Sequence, residues 1–133
     1  ICIIKNDTDI PSRLKPDKFQ QINVITCAAP NLRIHPNNKF NPGNDKVAHL
    51  SDAEIYDLHI KRANHILAVA AANNNDIIIL GAFGCGAFQN PPDVVAKAYH
   101  NVIMNFPFEE INFAVYCSPH DKRNFEIFKK EFS

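Results

Sequence analysis

Three short, almost wholly apolar runs constrain this chain more than anything else in it. They are residues 22–29 (INVITCAA), Ile77–Leu80 (IIIL) and residues 111–117 (INFAVYC). Runs that are apolar on both faces and rich in β-branched residues suit the buried strands of a parallel sheet. Between them lie stretches with helical periodicity. A short strand over residues 1–4 precedes them. Residues 7–16, polar and proline-bearing, read as a loop. The order strand, strand, helix, strand, helix, strand, helix predicts an α/β fold in which helical crossovers join parallel strands and cover the sheet.

The helices announce themselves by their ends. Ser51-Asp52-Ala53-Glu54 matches the S-x-x-E capping box. Ile55, Leu58, Ile66, Val69 and Ala70 follow at helical spacing, and the pattern predicts a helix running to about Asn73. The asparagines at 73–75 tolerate the left-handed geometry of a helix end. Asn90-Pro91-Pro92-Asp93 reads as a second start, with Asn90 as N-cap and Pro91 at the first helical position. Val94, Val95, Ala98, Val102 and Ile103 form the buried stripe of that helix. Ser118-Pro119-His120-Asp121 precedes a last helix carrying Phe125, Phe128 and Phe132. Residues 31–50, rich in Asn and Pro, form a long connection: either a lid over a pocket or simply a mobile loop.

Composition excludes several classes. With 133 residues the chain is one domain at most, and 46% hydrophobic content supplies a core. A formal net charge of +0 gives no field for nucleic acid or an acidic membrane. The apolar runs fall far short of the roughly 20 residues that span a bilayer. Cys2, Cys27, Cys85 and Cys117 are widely spaced, with no C-x-x-C, so reduced, mostly buried thiols in a cytoplasmic protein are expected. The six histidines include no H-E-x-x-H pair, and no metal site is expected. The chain opens in mid-strand on Ile-Cys-Ile-Ile without a Met, which suggests a longer protein that has been cut.

The segment from Gly81 to Gln89 carries the chemistry. It leaves the C-terminal end of a buried strand and enters a helix, the edge at which open α/β sheets bind ligands. Gly81, Gly84 and Gly86 permit positive φ and close approach of a ligand. Successive free N–H groups in such a turn make a concave anion site, and the following helix N-terminus adds partial positive charge. A diphosphate suits this arrangement. With no lysine or arginine in the loop, binding would rest on backbone amides. The spacing is G-x-x-G-x-G, neither a Walker loop nor G-x-G-x-x-G. The alternative is a tight strand-to-helix turn whose glycines serve packing.

Gly81-Ala82-Phe83-Gly84-Cys85-Gly86-Ala87-Phe88 resembles the diphosphate-binding loop of poly(ADP-ribose) glycohydrolases. Residues 24–31 (VITCAAPN), Arg62-Ala63-Asn64-His65-Ile66-Leu67 and residues 112–116 (NFAVY) resemble other segments of the microbial branch of that family. The resemblance implies a three-layer α/β/α macrodomain-like fold with a mostly parallel central sheet, of which this chain is the C-terminal part. It implies ADP-ribose or an ADP-ribosylated protein as the ligand, no cofactor, and hydrolysis of O-glycosidic ribose bonds. Gly81, Ala82, Phe83, Gly84, Cys85, Gly86 and Ala87 would face the phosphates, and Phe88 the distal ribose. For Phe83 and Phe88 core packing is the competing role. The family's catalytic signature, G-G-G followed by Q-E-E, is absent between Ile1 and Ser133. In the family it lies N-terminal to these segments, so it would sit before Ile1. Two other functions stay open: a non-catalytic ADP-ribose reader, and a thiol enzyme built on Cys85.

Overall fold

The computed structural model describes residues 2–3, 5, 8, 10–37, 39 and 46–133. Of the early segments, Cys2–Ile3 (β1) pairs antiparallel with Gln20–Gln21 (β2), after a 3-10 turn at Pro16–Lys18. Ile1 and Ile4, also expected in the first strand, lie outside the described residues.

Capping chemistry sets the longest element, helix α1 (Asp52–Ala72). The Ser51 hydroxyl accepts from the Glu54 N–H, and the Glu54 carboxylate accepts from the Ser51 N–H at 2.8 Å, so both halves of the capping box form. Asn73 ends the helix and Asn74 turns the chain with φ 53°, a conformation that asparagine tolerates better than most residues. The turn delivers the chain into β3 (Ile77–Leu80). Helix α2 (Pro92–Ile103) crosses over to β4 (Glu110–Phe113), which pairs parallel with β3 in the register Ile77↔Glu110 to Leu80↔Phe113. Helix α3 (Arg123–Glu131) closes the chain. The α/β class and the parallel pairing are therefore as the sequence predicts.

The core lies between the helices and one face of this sheet. Ile78 and Leu80 of β3 meet Ala63, Leu67, Val95, Tyr99 and Val102. Phe113 of β4 is stacked on Phe132 at 4.3 Å and meets Tyr99 edge-on, which joins α2 and α3 to the strand. A His100–Glu131 contact of 2.8 Å adds a polar tie between the same helices. The opposite face of β3 is different: Ile77 and Ile79 are 54% and 69% exposed.

Several expectations need correction. Residues 22–29 are not a strand; they form no ladder among the described residues. A strand requires a neighbour to exchange backbone hydrogen bonds, and this segment is separated from β3 by a cleft of ≈ 1480 Å³. Side chains moor it instead. Arg62 Nη1 donates to the Ala28 carbonyl at 2.6 Å, and Asn23 Nδ2 donates to Asn75 Oδ1 at 2.8 Å. The last strand stops at Phe113 rather than Cys117, leaving Cys117 exposed and not buried. Helix α2 starts one residue later than predicted, with Pro91 as its N-cap. No helix among the described residues is long and apolar enough to cross a membrane.

Candidate functional site

The glycine loop runs from the C-terminal end of β3 to the N-terminus of α2, where the sequence puts it. Three of its amides are committed to the loop itself. Cys85 N–H donates to Ala82 O, Gln89 N–H to Gly86 O and Asn90 N–H to Gly84 O, each at 3.0 Å. Among the described residues, the N–H groups of Gly81, Ala82, Phe83, Gly84, Gly86, Ala87 and Phe88 have no acceptor. A run of unpaired main-chain donors ahead of a helix N-terminus is an anion-binding arrangement. The N-cap of α2 makes no side-chain hydrogen bond; Pro91 and Pro92 carry no N–H, so the open donors at that helix end are the Asp93 and Val94 amides.

Not all three glycines serve the same purpose. Only Gly84 has positive φ, +79°. A Cβ there would lie 2.6 Å from Asn90 Nδ2 and 2.9 Å from Ala29 Cβ, so a side chain is excluded by space as well as by backbone. A Cβ on Gly86 would meet nothing within 4 Å, which leaves that position open to solvent or to a ligand. Gln89, not a glycine, takes the second left-handed position, with φ 58°.

The aromatic residues part company. Phe83 turns inward, edge-on to His59 at 5.9 Å and to Tyr99 at 6.5 Å, and packs against the core. Its contribution to the loop is its amide. Phe88 lies under the Arg33 guanidinium, whose carbon is 5.4 Å from the ring centroid. Leu32 N–H donates to Phe88 O at 3.0 Å, which fixes residues 31–33 alongside the loop. Arg33 is also held by Asn31 Oδ1 at 3.1 Å and Pro36 O at 2.9 Å. The loop thus has a cation at its distal end although none lies within it. Sequence inspection missed Arg33, because nothing in the order of residues links position 33 to position 88.

Cys85 is not an activated thiol. Burial raises its pKa to about 12, with Asp93 pushing the same way and Arg123 opposing. A nucleophilic cysteine needs the reverse shift. The Cys85 carbonyl accepts from Asn124 Nδ2 at 3.4 Å, so α3 also touches the loop.

Asn90 does not cap α2. It is 2% exposed, and its Nδ2 donates to Pro30 O at 2.8 Å, Gly84 O at 3.0 Å and Phe88 O at 3.3 Å. Its Oδ1 lies 2.9 Å from Nε2 of His59, which is fully buried on α1. Two hollows flank the loop. The large cleft reaches Leu80, Gly81 and Phe83, and a hollow of ≈ 470 Å³ beside Gln89 and Pro91 is walled by Leu32, Leu50 and Ile55. Of the glutamates, Glu54 is in the capping box, Glu109 and Glu110 stand at the opposite end of the sheet, and Glu126 and Glu131 are on α3.

No family model matches the chain, and no curated protein matches it. Solved structures do. A poly(ADP-ribose) glycohydrolase from Deinococcus radiodurans in complex with ADP-ribose is 30% identical with a TM-score of 0.54, over 59% of this chain and 33% of its own. The enzyme from Thermomonospora curvata is 29% identical with a TM-score of 0.56, over 60% of this chain and 31% of its own. Its complex with the inhibitor ADP-HPD gives the same identity and TM-score over 60% and 32%. The chain spans about a third of the length of the solved structures it matches. Over some three-fifths of its residues, this chain has the α/β fold of microbial poly(ADP-ribose) glycohydrolases.

Proposed function

We propose that this chain is an ADP-ribose-binding unit of a poly(ADP-ribose) or ADP-ribosyl glycohydrolase. The observation that carries the reading is the run of unpaired amides at Gly81–Gly84 and Gly86–Phe88, set before an open helix N-terminus. In this reading those donors hold the diphosphate, Gly86 lets it approach the backbone, and Phe88 with Arg33 borders the distal ribose. The neighbouring structures, solved with ADP-ribose or ADP-HPD, support that ligand.

The chain's own residues contribute binding and orientation. Fixing the diphosphate would hold the distal ribose in one pose, and positioning of this kind supplies a large share of a hydrolytic rate. Cleavage of the O-glycosidic bond through an oxocarbenium-like state needs a carboxylic acid to protonate the departing oxygen. Glu54 is engaged by Ser51 in the capping box, and Glu109 and Glu110 lie at the opposite end of the sheet, so this reading assigns the acid to none of these three glutamates. The free thiols of Cys27, Cys85 and Cys117 fit a reducing, cytoplasmic setting.

Calorimetry with ADP-ribose on the 133-residue chain tests the binding step. Saturable binding is expected, and Gly84→Val should abolish it. Unchanged affinity in that variant overturns the placement of the diphosphate. The second reading is a non-catalytic ADP-ribose reader. Incubating the complete protein with poly(ADP-ribose) decides between them. Released ADP-ribose marks the hydrolase, and binding without release marks the reader.

A further inference from the structure

Asn90 spans the base of the loop and touches everything that gives it shape. Its Nδ2 faces three carbonyls, those of Pro30, Gly84 and Phe88. That leaves Oδ1 as an acceptor, so the hydrogen between Asn90 and His59 must sit on His59 Nε2. The imidazole is then the neutral Nε2–H tautomer, and its Nδ1, buried and without a hydrogen-bond partner among the described residues, is the bare nitrogen. Burial also lowers the His59 pKa, with Arg62 adding to the effect and the Asn90 bond opposing it. Phe83 braces the ring edge-on from the loop side.

We propose that His59 and Asn90 form a buried latch that positions the glycine loop for its anion. The latch joins α1, the loop and the segment around Pro30, and so sets the direction in which the free amides point. It rests on the reading of the loop as an ADP-ribose site, but its own geometry can be measured without ligand. Neither residue touches the proposed ligand; both act through Gly84 and Phe88. Ordinary core packing would need no donor at position 59, and the latch needs one.

The test compares His59→Gln, which keeps a donor near the Nε2 position, with His59→Leu, which removes it. Amide hydrogen exchange at Leu32, Gln89 and Asn90 reads the loop, and exchange at Tyr99 in α2 controls for the fold. Losing a buried hydrogen bond should speed loop exchange in His59→Leu by about tenfold or more, with a similar loss of ADP-ribose affinity. His59→Gln should recover both. Equal behaviour of the two variants, or unchanged loop exchange in His59→Leu, overturns the latch. Nitrogen-15 shifts of the wild-type ring probe the same bond with no substitution at all. A protonated Nε2 with a bare Nδ1 is expected, and the opposite tautomer sinks the proposal. If the wild-type chain shows the protected loop and the Nε2–H tautomer but binds no ADP-ribose, the ligand assignment fails and the latch stands.

Discussion

At the scale of single residues, Cys85 yields the sharpest test, because burial and chemistry disagree about its use. Its thiol is pushed from an ordinary 9.0 to about 12, chiefly by burial. The folded chain therefore holds that proton more tightly than the unfolded chain does. Above pH 9 the native state binds more protons, so stability falls as pH climbs from 9 toward 12. Tyr99 is shifted upward for the same reason and steepens the fall. Urea titrations across this range should show a shallower decline for Cys85→Ala than for wild type, and ADP-ribose binding should survive the substitution. Parallel curves would contradict the burial argument, and lost binding would return the thiol to the site. The same loop shows which residues are legible in a sequence. Gly84 is, because positive φ has few other solutions. Asn90 is not: its position before two prolines fits an N-cap, but Pro30, 60 residues away, supplies a better acceptor for its amide.

Elements divide in the same way, by whether their partners are local. The start of α1 is written in four consecutive residues, and the structure forms both bonds of the box. Ser51→Ala removes the acceptor for the Glu54 amide and should cost about 1 kcal/mol, a usual value for an N-cap. Urea unfolding measures it, and a loss much below ~0.5 kcal/mol would mean that the exposed cap frays in solution. The apolar strands are different. Residues 22–29 and Ile77–Leu80 look alike in composition, yet only the second forms a ladder, because only it has β4 beside it. β-propensity records a fit to neighbours more than a preference of the backbone. The early end of β4 follows the same rule: past Phe113 the ladder runs out, and only Ala114 N–H still reaches Leu80 O, at 2.7 Å.

For the whole molecule, the consequence is an apolar cleft left open along β3. Ile77 and Ile79 of β3 line it, with Val24 and Ile25 of the preceding segment and Val69 of α1; all are exposed. On its second edge β3 has no strand partner among the described residues, so its backbone groups there are free to pair. Exposed apolar surface beside a free strand edge is an association site. A formal net charge of +0 offers no long-range repulsion against it. The 133-residue chain should therefore self-associate as its concentration rises, in sedimentation velocity at neutral pH. Ile79→Lys should shift it toward monomer, because a charge at a 69% exposed position repels a second edge without disturbing the core. Met104→Lys, at an 83% exposed site outside the cleft, provides the control and should change nothing. A wild-type chain that stays monomeric at high concentration would mean that the edge is shielded. If both lysine variants dissociate the chain equally, general charge rather than this cleft governs association.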